Sequence, residues 1–395
     1  MLGALILGAG LATAQQAPEV EWEPIALVRP RFSSGYTEGL ALGFHDDRAV
    51  THRARLGLQM RRADVEARVV AQLASGWELG ARRYHFVEPR VDFYEGWGRM
   101  SAELPAKIHV SLTAGRVPIT IHEGRLISND DFGSHGQAID GLHFRGSLGR
   151  LHLDTMTYRH PDENPNRVRG AVANWAGFVS TGPVTDLTLD LVTINDYSTP
   201  GLRTTLGPHF KLDTGRFHVQ SELYSQSVTR DVLDEVVETS LLGSQTVGYT
   251  LGPERLVNVR GRFDGATGDF LGAGDGFTAP LGDSYQFFGH LGLFQDAAGS
   301  AGRGVADTAL LLVVQPHARL ELELDLHRLW FLDDWAVAGQ EVDATVRYHF
   351  SPFSRVEVGI WVFAPSSGTA AAFDVEPIPA SQYLQLEIGA PPFKD

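Results

Sequence analysis

The chain has 395 residues, of which 43 are Gly and none is Cys, and its formal net charge is -15. An acidic chain without a basic stripe lacks the phosphate-neutralising surface that nucleic acids require, so the composition excludes a nucleic-acid-binding protein. The missing Cys excludes a disulfide framework. No apolar run of about 18 residues follows the N-terminal segment, which excludes a helical anchor in the mature chain.

Residues 1–14 have the pattern of a cleaved export signal. An apolar stretch over residues 2–11 precedes Ala12-Thr13-Ala14, a small-x-small cleavage motif. With no composition break further along, we expect one domain after the signal. The predicted divisions are a signal peptide at 1–14, a lead-in at 15–22, a single barrel domain at 23–389 and a C-terminal tail at 390–395.

From about residue 65 to residue 388, short segments alternate apolar and polar residues with a period of two. For example, Leu322 and Leu324 share one face of a segment, and Glu321 and Glu323 share the other. This period is typical of β-strands. Because the polar faces carry so many charges, they cannot pair into a dry core, so we expect the apolar faces to contact lipid.

The connections between segments alternate between short turns and long loops, as in barrels of the outer membrane. A first count gives 19 segments, which does not suit a single-chain barrel with both ends in the periplasm. Treating residues 265–304 as one long excursion gives 18. The predicted fold class is all-β, a transmembrane antiparallel β-barrel of 18 strands, with 16 as the alternative, short periplasmic turns and long extracellular loops. The expected long loops include residues 75–89 and 117–135.

Nine arginines share the inward parity and are predicted to line an anion path, because guanidinium groups bind carboxylates in a two-pronged way and stay charged. They are Arg53, Arg55, Arg68, Arg145, Arg216, Arg260, Arg262, Arg347 and Arg355. Acids share this parity in similar number. They are Glu66, Asp154, Asp190, Glu222, Glu321, Glu323, Asp325, Glu341, Asp343 and Glu357. Two interpretations stay open: the charges select a solute, or they pair across the wall and stiffen a wide lumen. A basic ladder facing acids would produce a transverse field.

Catalytic and metal sites are not expected. The pair Ser134-His135 is the only candidate for nucleophilic chemistry, and no Gly-x-Ser-x-Gly or His-Glu-x-x-His element accompanies it. The 15 His residues have no ligand spacing. Asp269 and Asp275 in a Gly-rich stretch leave only a weak indication of calcium. We therefore predict no enzyme and no cofactor.

Several short motifs follow one another in the order of a known family. They are Gly115-Arg116 with Gly124-Arg125-Leu126-Ile127; Ala138-Ile139-Asp140-Gly141-Leu142; Thr205-Leu206-Gly207 with Glu222-Leu223-Tyr224-Ser225-Gln226; Arg262-Phe263-Asp264-Gly265-Ala266-Thr267-Gly268-Asp269 with Gly276-Phe277-Thr278-Ala279-Pro280-Leu281; and Gly339-Gln340-Glu341-Val342-Asp343. Together they resemble the alginate export family of outer-membrane barrels over most of the mature chain.

The resemblance implies a monomeric 18-stranded barrel whose arginine-rich lumen lets an anionic polysaccharide leave the cell, with secretion machinery in the periplasm as a partner. The motif residues it marks are Arg116, Arg125, Asp140, Asp264, Asp269, Glu341 and Asp343. Arg116 shares parity with Leu112 and so reaches the lumen only if Gly115 forms a bulge.

The sequence thus predicts an outer-membrane channel, in contact with lipid and lipopolysaccharide, that passively conducts an anionic polysaccharide or a related anionic solute. Loops 117–135 and 265–304 are long enough to enter the pore, and Arg125, Asp130 and Asp131 are the loop residues expected to select the solute. Three alternatives remain: an uptake porin for small solutes, which the mixed charges favour; an outer-membrane enzyme; and a plugged structural barrel.

Overall fold

A computed structural model describes residues 19–36, 46–79, 84–129, 131–132, 136–159, 170–182, 185–197, 202–229, 237–252, 256–268, 276–279, 281–282, 287–291, 294, 300, 302–373 and 380–390. The predicted signal peptide and the residues Asp130, Ser134, His135, Asp269 and Asp275 lie outside these ranges, so the roles proposed for them stay predictions. Within the ranges, no helix has the length and apolar character needed to cross a membrane.

The described chain forms 18 antiparallel strands that close into one barrel. The strands are β1 (Glu21–Tyr36), β2 (Asp46–Arg62), β3 (Val65–Leu79), β4 (Tyr84–Leu104), β5 (Ile108–Val117), β6 (Ile139–Leu148), β7 (Leu151–Arg159), β8 (Gly170–Thr181), β9 (Asp186–Asp196), β10 (Leu202–Asp213), β11 (Phe217–Thr229), β12 (Val237–Leu251), β13 (Val257–Ala266), β14 (Val305–His317), β15 (Leu320–Phe331), β16 (Val337–Ser351), β17 (Ser354–Pro365) and β18 (Ala380–Ala390). Each strand pairs with the next, and β18 pairs with β1. A short helix, α1 (Ser367–Phe373), and one 3-10 turn (Pro105–Lys107) are the helical elements described. The prediction of 18 strands is confirmed.

Short turns join the strands at one end of the barrel, and longer connections join them at the other. Ala63-Asp64 and Pro352-Phe353 are two-residue turns, whereas residues 118–138 and 267–304 are the longest connections. The described part of residues 267–304 contains no strand, which confirms the prediction of one long connection here in place of a nineteenth strand. We call residues 118–138 the first inward loop and residues 267–304 the second inward loop.

The prediction of a long loop at residues 75–89 is wrong, because β3 continues to Leu79 and β4 begins at Tyr84. Trp77 and Phe86 are cross-strand partners in this region. The register between β3 and β4 shifts after Val70 and again after Ala74. Such β-bulges break the period of two, so the paired segment has no regular alternation that sequence could reveal.

The barrel presents apolar side chains outward and encloses polar ones. On β2, Leu56 is 70% exposed while Arg53 on the inward parity is 2% exposed. Large exposed apolar residues recur in the same way along the other strands, as at Val69 and Ile360. An apolar exterior around a closed sheet is what a barrel needs in lipid, where no backbone group can be left without a partner.

Described residues of both inward loops pack inside the barrel. Ile127 of the first loop and Phe277 and Phe294 of the second are almost completely buried in one apolar cluster. Ile127 forms a parallel bridge with Leu281, and the backbone N–H of Ser128 donates to the carbonyl of Leu281 at 2.8 Å. The loops therefore hold each other in place inside the barrel.

Replacing Leu56 with Arg is expected to destabilise the barrel in a bilayer by about 2–4 kcal/mol, because a cation near the middle of the lipid-facing wall has no water. Urea unfolding in phospholipid vesicles, followed by Trp fluorescence, measures this effect. Leu56→Ala, which stays apolar, is the matched control. Equal unfolding midpoints for the two variants would mean that this face does not contact lipid.

Candidate functional site

Four arginines on two neighbouring strands face the lumen together. Arg29 and Arg31 lie on β1, and Arg53 and Arg55 lie on β2, with Arg29 directly paired with Arg53 across the ladder. Val28, on the opposite parity, is exposed on the outer face. We call the four residues the arginine cluster.

Two members of the arginine cluster, Arg53 and Arg55, are predicted from sequence, whereas Arg29 and Arg31 are missed. The signal that could have found them is the Arg-x-Arg spacing that β1 shares with β2. Pro30 obscures it, because proline cannot donate a hydrogen bond to the ladder and its presence argues against a central strand.

One loop carboxylate, Asp131, sits against the arginine cluster. Its Oδ1 lies 3.0 Å from Arg53 Nη2 and 2.9 Å from Arg55 Nη1, and its carbonyl accepts a hydrogen bond from Arg29 Nη1 at 2.5 Å. Burial alone would raise the pKa of Asp131, but Arg53, Arg55 and Arg29 hold it below its ordinary value. Asp131 therefore ties the first inward loop to three guanidinium groups of the arginine cluster at once.

Aromatic rings and amides orient the guanidinium groups. The Arg55 guanidinium carbon lies 3.5 Å from the ring centre of Tyr94, and Arg55 Nε donates to Gln72 Oε1 at 2.8 Å. The Arg31 guanidinium carbon lies 3.8 Å from the ring centre of Phe132, which follows Asp131 in the first inward loop. Stacking of this kind fixes the plane of a guanidinium while leaving its edge free to donate.

Buried acids line a different part of the lumen, from β11 to β16. We call this set the acidic wall, and its members are Glu222, Asp264, Asp307, Asp325, Glu341 and Asp343. The cations that contact it are fewer. Arg262 Nε lies 2.9 Å from Asp264 Oδ2, and His327 Nδ1 lies 2.7 Å from Asp307 Oδ2. The structure thus separates a basic and an acidic side, the arrangement that gives a transverse field.

Arg125 ties the first inward loop to the acidic wall. Its Nε donates to Glu222 at 2.8 Å, and its Nη2 donates to Asp264 at 2.8 Å. Its guanidinium carbon lies 3.8 Å from the ring centre of Phe287 in the second inward loop. Burial by itself would lower the pKa of Arg125, but Asp264 and Glu222 raise it. This buried network makes Arg125 an anchor of the loop rather than a group that meets a solute.

Most other predicted lumen arginines pair with acids on the neighbouring strand, outside the acidic wall. The contacts are Arg68 Nε to Glu95 at 3.0 Å, Arg145 Nε to Asp154 at 2.7 Å, Arg347 Nε to Glu357 at 2.8 Å and Arg355 Nη2 to Glu387 at 3.5 Å. Arg347 also contacts Glu321 and Glu323. Arg260 Nε donates to Asn258 Oδ1 at 2.6 Å in an exposed position. Each of the four ion-paired arginines is thus held by an acid on a neighbouring strand, whereas Arg260 is held by an amide on its own strand.

The lumen position predicted for Arg216 is wrong, whereas Arg116 lies outside the lumen as its parity predicts. Arg216 lies in the turn between β10 and β11, because β10 ends at Asp213, and so it is not part of the lumen wall. Arg116 shares the outward parity of the exposed Leu112, and no register shift occurs at Gly115. It forms a bidentate pair with Asp140, with both contacts at 2.8 Å.

The remaining motif acids, Glu341 and Asp343, also belong to the acidic wall, where the second inward loop covers them. The backbone N–H of Leu291 donates to Glu341 Oε1 at 2.8 Å, and that of His290 donates to Asp343 Oδ2 at 3.3 Å. One further group joins His122 of the first inward loop to Asp190 on β9 and His209 on β10, and has the chemistry of metal ligands.

The barrel is similar to solved outer-membrane proteins. OpdK of Pseudomonas aeruginosa, crystallised with vanillate, is 12% identical with a TM-score of 0.60, over 94% of this chain and 98% of that chain. OccAB1 of Acinetobacter baumannii is 10% identical with a TM-score of 0.61, over 93% and 96%. OprD of Pseudomonas aeruginosa is 9% identical with a TM-score of 0.60, over 95% and 97%. No family model matches the sequence, and no curated protein matches it.

These likenesses show the fold of an outer-membrane β-barrel porin and do not support the alginate-export assignment. The motifs behind that assignment are short combinations of Gly and Asp with alternating strand residues. Gly and Asp are the residues that turns require, so such motifs recur in barrels that are otherwise unrelated.

Replacing Asp131 with Asn is expected to loosen the first inward loop. A hydrogen bond to a charged group contributes about 1.5–3 kcal/mol, so amide-exchange protection within residues 118–129 should fall by about 10-fold or more. The arginines hold the pKa of Asp131 below its ordinary value, so the contribution of this contact is fully present above the ordinary carboxyl pKa and is lost as the pH falls through the lower, folded-state pKa. Protection in the wild type should thus be the same at pH 5 and pH 7 once intrinsic exchange rates are corrected.

The matched control for this experiment is Asp140→Asn. Asp140 is 46% exposed and Asp131 is 45% exposed, and both accept hydrogen bonds from Arg, but Asp140 lies on the outer face. Loop exchange that is unchanged in Asp131→Asn, or equally faster in both variants, would show that the arginine cluster does not hold the loop.

Proposed function

We propose that this chain is an outer-membrane channel for the passive uptake of small solutes that carry a carboxylate. The closed barrel, its apolar exterior and its likeness to outer-membrane porins support the membrane location. An export signal at residues 1–14 would agree with that location. The observation that carries the choice of solute is the arginine cluster.

Arg55 of the arginine cluster lines a cavity of about 360 Å³ together with Arg68, Tyr94 and the three carboxylates of Asp131, Glu95 and Glu387. Glu95 pairs with Arg68, and Glu387 contacts Arg355. Cavities that hold small ligands measure about 300–1,000 Å³. The cavity continues to Phe353 in a short turn, so it reaches from the middle of the lumen towards the turn end of the barrel.

The filling of the lumen favours a small solute over a polymer. Buried side chains of both inward loops, such as Ile127 and Phe294, occupy space that a polysaccharide chain would need. The earlier expectation of polysaccharide export depends on a family resemblance that the structural neighbours do not support. The small-solute porin is therefore the better interpretation, and secretion machinery is not part of it.

The arginine cluster offers a carboxylate a series of binding positions along the lumen. Two residues on the same face of a strand are about 6.6–6.8 Å apart, so Arg29 and Arg31, or Arg53 and Arg55, offer successive binding positions. Asp131 already occupies one of these positions with a carboxylate of the protein. A solute carboxylate would exchange with it, which keeps binding weak enough for release.

Aromatic carboxylates suit this surface. The rings of Tyr94 and Phe132 lie beside the guanidinium groups of Arg55 and Arg31, so a ring and a carboxylate on one solute would both find partners. One structural neighbour was crystallised with vanillate, a small aromatic carboxylate. For this chain, vanillate is a suitable probe.

Proteoliposomes of the wild type are expected to take up vanillate faster than vanillyl alcohol, its neutral analogue. Replacing Arg53 and Arg55 together with Gln should slow vanillate uptake by about 10-fold or more, since a hydrogen bond to a charged group contributes about 1.5–3 kcal/mol. Uptake of vanillyl alcohol should change little. Stopped-flow liposome swelling with each solute measures both rates.

Arg145→Gln is the control, because Arg145 is also an inward arginine but contacts Asp154 on β7. It should keep the preference for vanillate. Equal rates for the two solutes in the wild type would contradict carboxylate selection, and the absence of any swelling would support a plugged structural barrel.

A further inference from the structure

Three buried, inward-facing residues lie side by side on three adjacent strands. Asp190 of β9 is the cross-strand partner of His209 on β10, and His209 is the partner of Glu222 on β11. All three are buried. The row thus places an imidazole between two carboxylates within the lumen.

The first inward loop adds two more groups to this row. The His122 ring stacks on the His209 ring, with centres 3.6 Å apart and planes 10° apart. His122 Nε2 lies 2.8 Å from Asp190 Oδ2, and Glu123 Oε2 lies 3.5 Å from His209 Nε2. Two imidazoles and three carboxylates therefore meet where the loop contacts the wall.

His209 is buried, and its ring nitrogens lack a well-formed hydrogen bond. The residue is 1% exposed, and among the described residues neither ring nitrogen makes a hydrogen bond of good geometry. Buried polar groups in proteins are almost always satisfied. The neighbouring acids are engaged elsewhere: Lys211 Nζ lies 2.8 Å from Glu123 Oε1, and Arg125 Nε lies 2.8 Å from Glu222 Oε2. The ring nitrogens of His209 thus point into a cluster of ligand groups with their lone pairs or protons unmatched.

We propose that His122, Asp190 and His209 bind a divalent transition-metal ion of the Zn²⁺, Co²⁺ or Ni²⁺ kind. Two imidazoles and one carboxylate are a common three-residue ligand set for Zn²⁺, with the fourth position left to water or another carboxylate. Glu123 is the nearest candidate for that position. The ion would connect the first inward loop to β9 and β10.

The distances permit this once the stacked rings tilt apart, because an imidazole nitrogen binds an ion in the plane of its own ring and the planes of His122 and His209 are only 10° apart. One ligand atom from each of the three residues lies within 4.8 Å of the others. A tetrahedral ion with bonds of about 2.0–2.1 Å separates its ligand atoms by about 3.3 Å, so the groups need to close by at most about 1.5 Å. The charges also agree: Asp190, Glu123 and Glu222 carry three negative charges, whereas Lys211 and Arg125 supply two positive charges, which favours an added cation.

The proposed site does not depend on ligand spacing along the sequence, which is why the sequence predicts no transition-metal site. His122 and His209 are far apart in sequence, and only the inward fold of the loop brings them together. A spacing rule detects ligands on one element, so it could not detect a site between a loop and a barrel wall.

The test is Zn²⁺ binding to the full-length barrel, purified in detergent without a polyhistidine tag, by isothermal titration calorimetry. We expect one high-affinity Zn²⁺ per chain and a higher melting temperature in Zn²⁺ than in EDTA. Removing even groups that orient metal ligands costs about 10–100-fold in affinity, so His209→Gln and His122→Gln should each weaken binding by at least about 10-fold.

His143→Gln is the matched control. His143 Nε2 lies 2.8 Å from Asp154 Oδ1, its side chain is 11% exposed against 10% for His122, and it is not part of the cluster. His122→Gln changes only the loop, so it keeps the test valid if His209→Gln fails to fold. Retained affinity in His143→Gln with loss in the other variants would support the site. No binding in the wild type, or equal binding in all variants, would overturn it.

Discussion

Closure of the sheet is the constraint on which the rest of the structure depends. In lipid every backbone N–H and C=O must find a partner within the protein, and the pairing of β18 with β1 removes the last free edges. An 18-stranded barrel is too wide for its wall side chains to fill. Described residues of the two inward loops pack into this space, and the bridge between Ile127 and Leu281 joins the loops.

The first inward loop carries opposite charges that match the two sides of the lumen. Asp131 contacts the arginine cluster on β1 and β2, while Arg125 contacts Glu222 and Asp264 on the acidic wall. If the loop lay the other way round, Asp131 would face the acidic wall and Arg125 would face the arginine cluster, so like charges would meet. Electrostatics therefore fixes the orientation of the loop across the barrel. The loop thus pairs with two of the six acids of the acidic wall through Arg125 and with three members of the arginine cluster through Asp131. The proposed solute selection and the placement of the loop therefore depend on the same arginines.

Sequence predicts most of the fold because apolar faces in lipid must repeat every second residue, as on β15. It fails where that period is interrupted, as in the bulged pairing of β3 with β4 and at Pro30 between Arg29 and Arg31. Parity can tell whether a strand residue faces inward, but not which residues meet across the lumen. The contacts of Arg125 and the approach of His122 to His209 depend on how a loop folds, which no local period specifies.

If the arginine cluster binds a carboxylate solute inside the barrel, anomalous diffraction from crystals soaked in 4-bromobenzoate will locate it, because bromine marks the solute independently of the protein density. We expect a bromine peak in the cavity beside Tyr94, or beside Phe132, with the carboxylate within hydrogen-bond distance of Arg53 or Arg55. Bromine peaks only on the outer surface, or beside the acidic wall with the arginine cluster unchanged, would contradict it.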